Sequence, residues 1–285
     1  MLPFLTGVAS PARIFVLMLI VGLELTPADF RRVARYPRTI VIVTLGQIVL
    51  LPVLALLVAE LFALPRQLAV AILLLAFSPG GAISNYYTSL AGRNVALSVT
   101  LTAVSTLFSL VSIPIAAVIY LDFIGLGGEQ LSLPISTIIP QLLLFVVTPV
   151  ILGMGIGHSL GDRVSRWAAK LRKASLGLVA ALLLVTLWTV RDAVSASLVE
   201  IAVTATLFTG GAMLMGTLIA RAVPASDREV VVIECAVRNI PVAVLLGNNV
   251  MESANYVGFL AAYFFIEVAL MVPYALFTRM QSLGK

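Results

Sequence analysis

The chain has 285 residues, of which 61% are hydrophobic and only 11% charged, and its mean hydropathy is +1.11. A water-soluble domain carries about a quarter charged residues, so this composition excludes a soluble globular protein and points to a bilayer. With about 20 apolar residues needed per spanning helix, the length accommodates about nine spans joined by short loops, and the whole of 1–285 reads as one all-α transmembrane domain.

Taken in chain order, apolar runs bounded by charged or Gly/Pro breaks predict spans at about 10–28, 39–63, 67–91, 95–121, 133–157, 174–190, 198–220, 228–250 and 256–278. The start lacks the basic stretch and small-residue cleavage site of a secretory signal, and the first basic residue is Arg13, so no leader is expected to be removed. If the N-terminus lies outside, fourteen of the eighteen basic residues face the cytoplasm, among them Arg31, Arg32, Arg35, Arg38 and the 163–173 cluster. Only Arg13, Arg66 and Arg191 face outward, and Arg238 lies inside a span. This asymmetry accounts for the net charge of +5 and predicts a multi-pass inner-membrane protein with a cytoplasmic C-terminus. Cys235 is the sole cysteine, which rules out an intrachain disulfide.

Two spans are not expected to be simple helices. The third, about 67–91, carries Ser78-Pro79-Gly80-Gly81 at its middle, where proline removes a backbone donor and two glycines weaken the helix. The eighth, about 228–250, gathers Glu234, Arg238, Asn239 and Pro241 at one depth. Each is expected to break there, although Gly and Pro in a membrane helix can also produce no more than a kink. Non-helical backbone at membrane depth survives where it is buried in protein or lines a watery cavity. Two broken spans in opposite orientation suggest inverted repeats whose discontinuous helices cross at a shared site.

Ser84 and Asn85 follow the first break, Ser98 and Thr102 share one face of the next span, and Glu234 lies in the other broken helix. Hydroxyl, amide and carboxylate oxygens are what a hard cation such as Na+ needs in place of its hydration shell. An ionised acid at mid-membrane also needs a counter-charge, which bound sodium supplies. The alternatives are hydroxyls bonded back to their own helix and a purely structural ion pair for Glu234. The half-helices at about 82–91 and 241–250 direct their N-termini to the midplane, which suits an anionic substrate. Tyr86, Tyr87, Phe264 and Phe265 are candidates either for a cavity wall or for ordinary packing.

The stretch Ser78-Pro79-Gly80-Gly81-Ala82-Ile83-Ser84-Asn85, with Gly92-Arg93-Asn94-Val95-Ala96-Leu97-Ser98-Val99 and Thr102-Ala103-Val104-Ser105-Thr106, resembles the signature of the bile acid:sodium symporters. Gly22-Leu23-Glu24-Leu25-Thr26-Pro27-Ala28-Asp29-Phe30 resembles that family's first shared cytoplasmic turn, and nine spans with the N-terminus outside resemble its animal branch. The resemblance implies a core domain with two crossing broken helices, a panel domain that moves against it, and a sodium site on Ser84, Asn85, Ser98, Thr102 and Glu234. A second sodium site falls on Gln47, Glu234, Cys235, Val237 and position 238. Here the pattern departs: 238 is Arg where the family usually has Gln, Ile240 and Pro241 replace small residues, and Glu267 adds an acid. Asn239, Ile240, Pro241 and Glu267 are the candidate substrate contacts.

The expected activity is alternating-access symport of sodium with a small organic anion, a carboxylate by charge, with Arg238 standing where the second ion binds. The alternatives are a proton-coupled or sodium-independent organic anion carrier and an arsenite-type metalloid exporter. Cys235 beside Glu234 carries the metalloid alternative. An intramembrane enzyme is disfavoured because the one histidine, His158, is remote from both breaks.

Overall fold

The computed structural model describes residues 11–31, 33, 35–123, 135–161, 170, 174, 177, 180–181, 183–185, 187–192, 194–247 and 254–283. Among these every regular element is helical and there is no strand. Five helical stretches are long and apolar enough to cross a bilayer: Pro37–Leu61, Val95–Ile115, Ile139–Leu160, Ser195–Ala220 and Ala254–Ser282. α1 (Pro11–Glu24), the two interrupted helices and the partly described segment at 174–190 are the other stretches read as spans. Arg32, Arg163, Arg166, Arg172, Lys173, Lys285, the segment 124–134 and positions 248–250 of the eighth predicted span lie outside the described residues.

After α1 comes a single-turn helix, α2 (Pro27–Arg31). At its start the Asp29 carboxylate accepts twice from Thr26, from the backbone N–H at 2.6 Å and from the hydroxyl at 2.7 Å. That is the physical content of the Leu25–Asp29 turn. α3 (Pro37–Leu45) continues through a π-turn at Gly46–Leu50 into α4 (Leu51–Leu61). α8 (Ile135–Leu142) likewise passes through a π-turn at Leu143–Val147 into α9 (Thr148–Leu160). Each π-turn is followed two residues later by a proline, Pro52 or Pro149. A proline ring clashes with the carbonyl four residues earlier, and a widened turn relieves the clash while keeping the helix continuous.

The interrupted helices are α5 (Arg66–Phe77) with α6 (Ile83–Leu90), and α11 (Arg228–Ala236) with α12 (Ile240–Gly247). Every residue from Leu68 to Phe77 and from Val230 to Ala236 is buried, as expected of helices that are apolar all round. They form the centre, packed by α7 (Val95–Phe123), α10 (Leu198–Ala220) and α13 (Ala254–Leu283). α1 and α9 make a separate close pair, in which a Cβ at Gly22 would collide with the carbonyl of Val150 and one at Gly153 with that of Leu19. Bare backbones in contact are how membrane helices associate where burial in lipid gives no driving force. The periphery exposes Val41, Leu61, Val111, Ile151, Val199, Leu214 and Phe277. Such a surface would aggregate in water and matches lipid tails.

Candidate ion and substrate site

The predicted break of the third span spans Ser78 to Ala82, and that of the eighth spans Val237 to Asn239. The two meet as a miniature antiparallel pairing of Gly80 with Arg238. The Gly81 N–H donates to the Val237 carbonyl at 3.1 Å and the Asn239 N–H to the Pro79 carbonyl at 3.0 Å. Broken backbone at membrane depth is thereby satisfied by the other break, as the absence of water requires. Glycine is needed at both positions of the first break. A Cβ on Gly81 would lie 2.6 Å from the Arg238 carbonyl oxygen, and one on Gly80 would lie 2.9 Å from Glu234 Oε2.

Beside this junction the carboxylate of Glu234 is fully buried and held by hydroxyls from two other helices. Ser84 donates to Oε1 at 2.5 Å, Ser98 donates to the same oxygen, and Thr102 reaches Oε2 at 3.2 Å. Ser84 Oγ also lies 3.4 Å from Ser98 Oγ and 3.3 Å from Thr102 Oγ1. Asn85 is buried on the same half-helix, and its Oδ1 has no hydrogen-bond partner. Ser84, Ser98, Thr102 and Glu234 are thus in one cluster of oxygens from α6, α7 and α11, with Asn85 adjacent to it in sequence.

Of the second-site residues, Gln47 sits in the π-turn of the α3–α4 span, a feature common at functional sites. Its Nε2 donates to the backbone carbonyl of Glu234 at 2.9 Å, while its Oε1 is buried without a partner. Cys235 and Val237 are packed in apolar clusters. Arg238 is 4% exposed. It forms no ion pair with Glu234 or Glu267; instead its Nη2 donates to the carbonyls of Ala76, at 3.1 Å, and Ser78. These carbonyls belong to the C-terminal end of α5, whose last turn has no helical donors and carries partial negative charge. Arg238 Nε and Nη1 have no partner.

Asn239 caps α12 through Oδ1, which accepts from the Val242 N–H at 3.2 Å, and its Nδ2 approaches Met18 Sδ of α1 at 3.9 Å. Ile240 is buried in the main core cluster and Pro241 occupies the first turn of α12. Glu267 of α13 is 1% exposed with Oε1 unpartnered. Tyr87 and Phe264 are fully buried within apolar clusters, each in edge contact with its neighbour Tyr86 or Phe265. Between the α1–α9 pair and α7 there is a cavity of about 40 Å³, with Thr102 and Thr106 on the α7 side and Val21, Val150 and Met154 on the other.

Sequence reasoning missed two residues that hold the junction. Ser105 accepts from the Gly80 N–H at 3.1 Å, and its position one turn after Thr102 was a usable signal. The Tyr263 hydroxyl accepts from the Arg238 N–H at 2.9 Å and donates to the Ala236 carbonyl at 2.7 Å, satisfying both sides of the second break. No motif in the sequence flags Tyr263.

The described residues form an all-helical multi-pass membrane protein with two interrupted helices joined at a buried polar cluster. A sequence model of the Sodium Bile acid symporter family matches residues 11–197, about two-thirds of the chain, and the protein belongs to that family. The matched residues end before the second interrupted helix. Among curated relatives, a Bacillus subtilis protein called "Uncharacterized sodium-dependent transporter YocS" is 30% identical over 178 residues, covering 61% of this chain and 54% of its own. The human "Sodium/bile acid cotransporter 4" is 31% identical over 166 residues, 58% of this chain and 37% of its own. The rice "Probable sodium/metabolite cotransporter BASS2, chloroplastic" is 33% identical over 138 residues, 48% and 32% respectively. The chain thus matches about half the length of the first of these relatives and about a third of the others.

Proposed function

We propose that this protein is a secondary transporter that couples inward movement of a small organic anion to sodium by alternating access. Its setting in this reading is the inner membrane, N-terminus outside and C-terminus in the cytoplasm. The observation that carries the reading is the Glu234 cluster. A fully buried carboxylate is surrounded by three hydroxyls from two other helices and forms no direct ion pair among the described residues, the nearby Arg238 being turned to backbone carbonyls. Hydroxyls alone leave a buried negative charge uncompensated, and a free cation ligated by Ser84, Asn85, Ser98, Thr102 and Glu234 supplies the missing charge.

In the same reading, Arg238 is the tethered equivalent of a second ion. An Arg side chain has only donors and cannot ligate a cation; its Nη2 is instead held by the carbonyls of Ala76 and Ser78. The substrate enters the seam between the α1–α9 pair and α7, where the small cavity touches Thr102 and where Asn239 faces α1. The two interrupted helices, each a pair of short segments whose breaks bond antiparallel, are the corresponding elements of two inverted repeats within a nine-span domain.

The test is stability of the purified protein against sodium concentration. A ligand that binds only the folded state stabilises by about 2.7 kcal/mol at a hundredfold its Kd. Sodium is expected to raise the melting temperature, and Glu234→Ala or Asn85→Ala to abolish the rise. Equal effects of lithium, potassium and sodium on the wild type would sink the sodium reading. A second reading of Arg238 is favoured by its unpartnered Nε and Nη1: this edge of the guanidinium grips the substrate carboxylate bidentately.

A further inference from the structure

The face that carries the α2–α3 and α10–α11 connections also carries a concentration of positive charge. Arg93 pairs with Glu229 at 3.2 Å, and Asn94 approaches the Tyr36 hydroxyl at 3.5 Å, so the α6–α7 connection joins the same face. Within it lies an open pocket of about 430 Å³ bounded by Arg35–Thr39 on one side and Arg221–Pro224 on the other. That volume is in the range of small-molecule sites. Three exposed arginines line it, Arg35, Arg38 and Arg221. No carboxylate lines it, and none of the three makes a side-chain hydrogen bond or ion pair among the described residues.

The pocket floor adds to this charge. α3 begins at Pro37, and the preceding Tyr36 gives no side-chain cap, so the N–H groups of Arg38 and Thr39 in the first turn have no helical acceptor. Three unpaired guanidiniums over an uncapped helix start attract an anion with several acceptor oxygens, and Arg matches phosphate geometry through paired N–H donors.

The surroundings of the pocket decide which phosphate. Below Arg38, at intervals of three and four residues on one helical face, come Val41 and Leu45, which are 55% and 56% exposed. Below Arg221, on the opposing helix, come Leu218 and Leu214, 51% and 63% exposed. Ile40, Val43, Ile219 and Val223 belong to one buried cluster, and a Cβ at Gly46 would meet the Ile219 side chain at 2.6 Å, so the α3–α4 span and α10 share a seam. Charge at the membrane edge above two apolar stripes is the profile of a phospholipid, headgroup over acyl chains. We propose that this pocket binds the phosphate headgroup of an anionic phospholipid, with its chains lying along the exposed seam between α3 and α10.

The experiment places full-length protein in nanodiscs of phosphatidylcholine alone or with phosphatidylglycerol, and reads both melting temperature and co-purifying lipid by native mass spectrometry. Phosphatidylglycerol is expected to stabilise the wild type and to be retained. Arg35→Gln/Arg38→Gln/Arg221→Gln should lower that retention roughly a hundredfold, at about fivefold per charge removed near the surface. Arg191→Gln, at a residue stacked on Trp188 away from the pocket, should leave it unchanged. If the triple variant already melts early in phosphatidylcholine, the three single substitutions carry the test, each with its own expected fivefold loss. Undiminished retention in the variants overturns the proposal. So does equal stabilisation of the wild type by millimolar inorganic phosphate in phosphatidylcholine discs, because the ligand would then be a free anion.

Discussion

Gly80 and Gly81 are neighbours at the first break, and substituting each by alanine should damage different things. In Gly80→Ala the new methyl lies 2.9 Å from Glu234 Oε2 and 3.4 Å from Ser105 Oγ, both ends of side chains. A carboxylate pushed back by a few tenths of an ångström stretches the Thr102 bond to Oε2, now 3.2 Å, past hydrogen-bond range. Losing one bond to a charged group costs about 1.5–3 kcal/mol, or roughly 10- to 150-fold in affinity for an ion ligated there. In Gly81→Ala the methyl meets the Arg238 carbonyl oxygen at 2.6 Å and its carbon at 3.0 Å. These backbone atoms cannot rotate aside, so the pairing must open, and global stability should fall by about 2–4 kcal/mol as buried groups lose their partners. The assay is a sodium titration of melting temperature for both variants. Gly80→Ala should start a little below the wild-type melting temperature and need at least tenfold more sodium for the same rise; Gly81→Ala should start lower still, with its sodium midpoint less affected. A Gly80→Ala protein with the wild-type sodium midpoint would refute the argument that the Glu234 carboxylate, at this position, is an ion ligand.

Tyr263→Phe leaves the Arg238 N–H and Ala236 carbonyl unpaired in a buried setting, at about 1–3 kcal/mol each, and thermal melting should show the loss without sodium as well as with it. Arg238→Gln removes the tethered cation, so the sodium dependence of uptake should steepen from a cooperativity near one towards two. Wild-type uptake that already shows two-sodium cooperativity would contradict this, and lost substrate affinity with unchanged sodium response would favour the carboxylate clamp. Cysteines introduced at 163–173 should be labelled by impermeant reagents only from the cytoplasm and those at 123–130 only from outside. The native Cys235 is fully buried and should stay silent.

The broad architecture was legible because membrane physics leaves few options. Hydropathy predicted 198–220 and the structure places α10 at Leu198–Ala220; the two breaks fell where proline, glycine and charge coincided. The hydroxyl cluster was also legible in part. Ser98 and Thr102 share a face by helical spacing alone, and the need of a cation for several oxygen ligands, together with the opposed breaks, joined them to Glu234, 136 residues from Ser98. What spacing does not encode is contact between distant segments. Glu234 stands one helical turn from Arg238 in sequence, yet Arg238 Nη2 bonds to the end of α5, 160 residues away at Ser78. The π-turns were open to reasoning, since Pro52 and Pro149 stand inside long apolar runs that must remain helical. Tyr263 was not, because an aromatic residue in a membrane helix is ordinarily packing.

The junction between the two breaks is made of main-chain atoms: the N–H groups of Gly81 and Asn239 and the carbonyls of Val237 and Pro79. Position 238 contributes its own N–H to Tyr263 and nothing from its side chain to that pairing. The main-chain pairing is therefore formed without the side chain at 238, which bonds instead to the carbonyls of Ala76 and Ser78. A single codon change there can swap a neutral amide for a fixed positive charge while the crossing keeps its shape. In a lineage built on this frame, the electrical accounting of each cycle can drift by point mutation, whereas Gly81 opposite, where a Cβ would meet the Arg238 backbone, cannot.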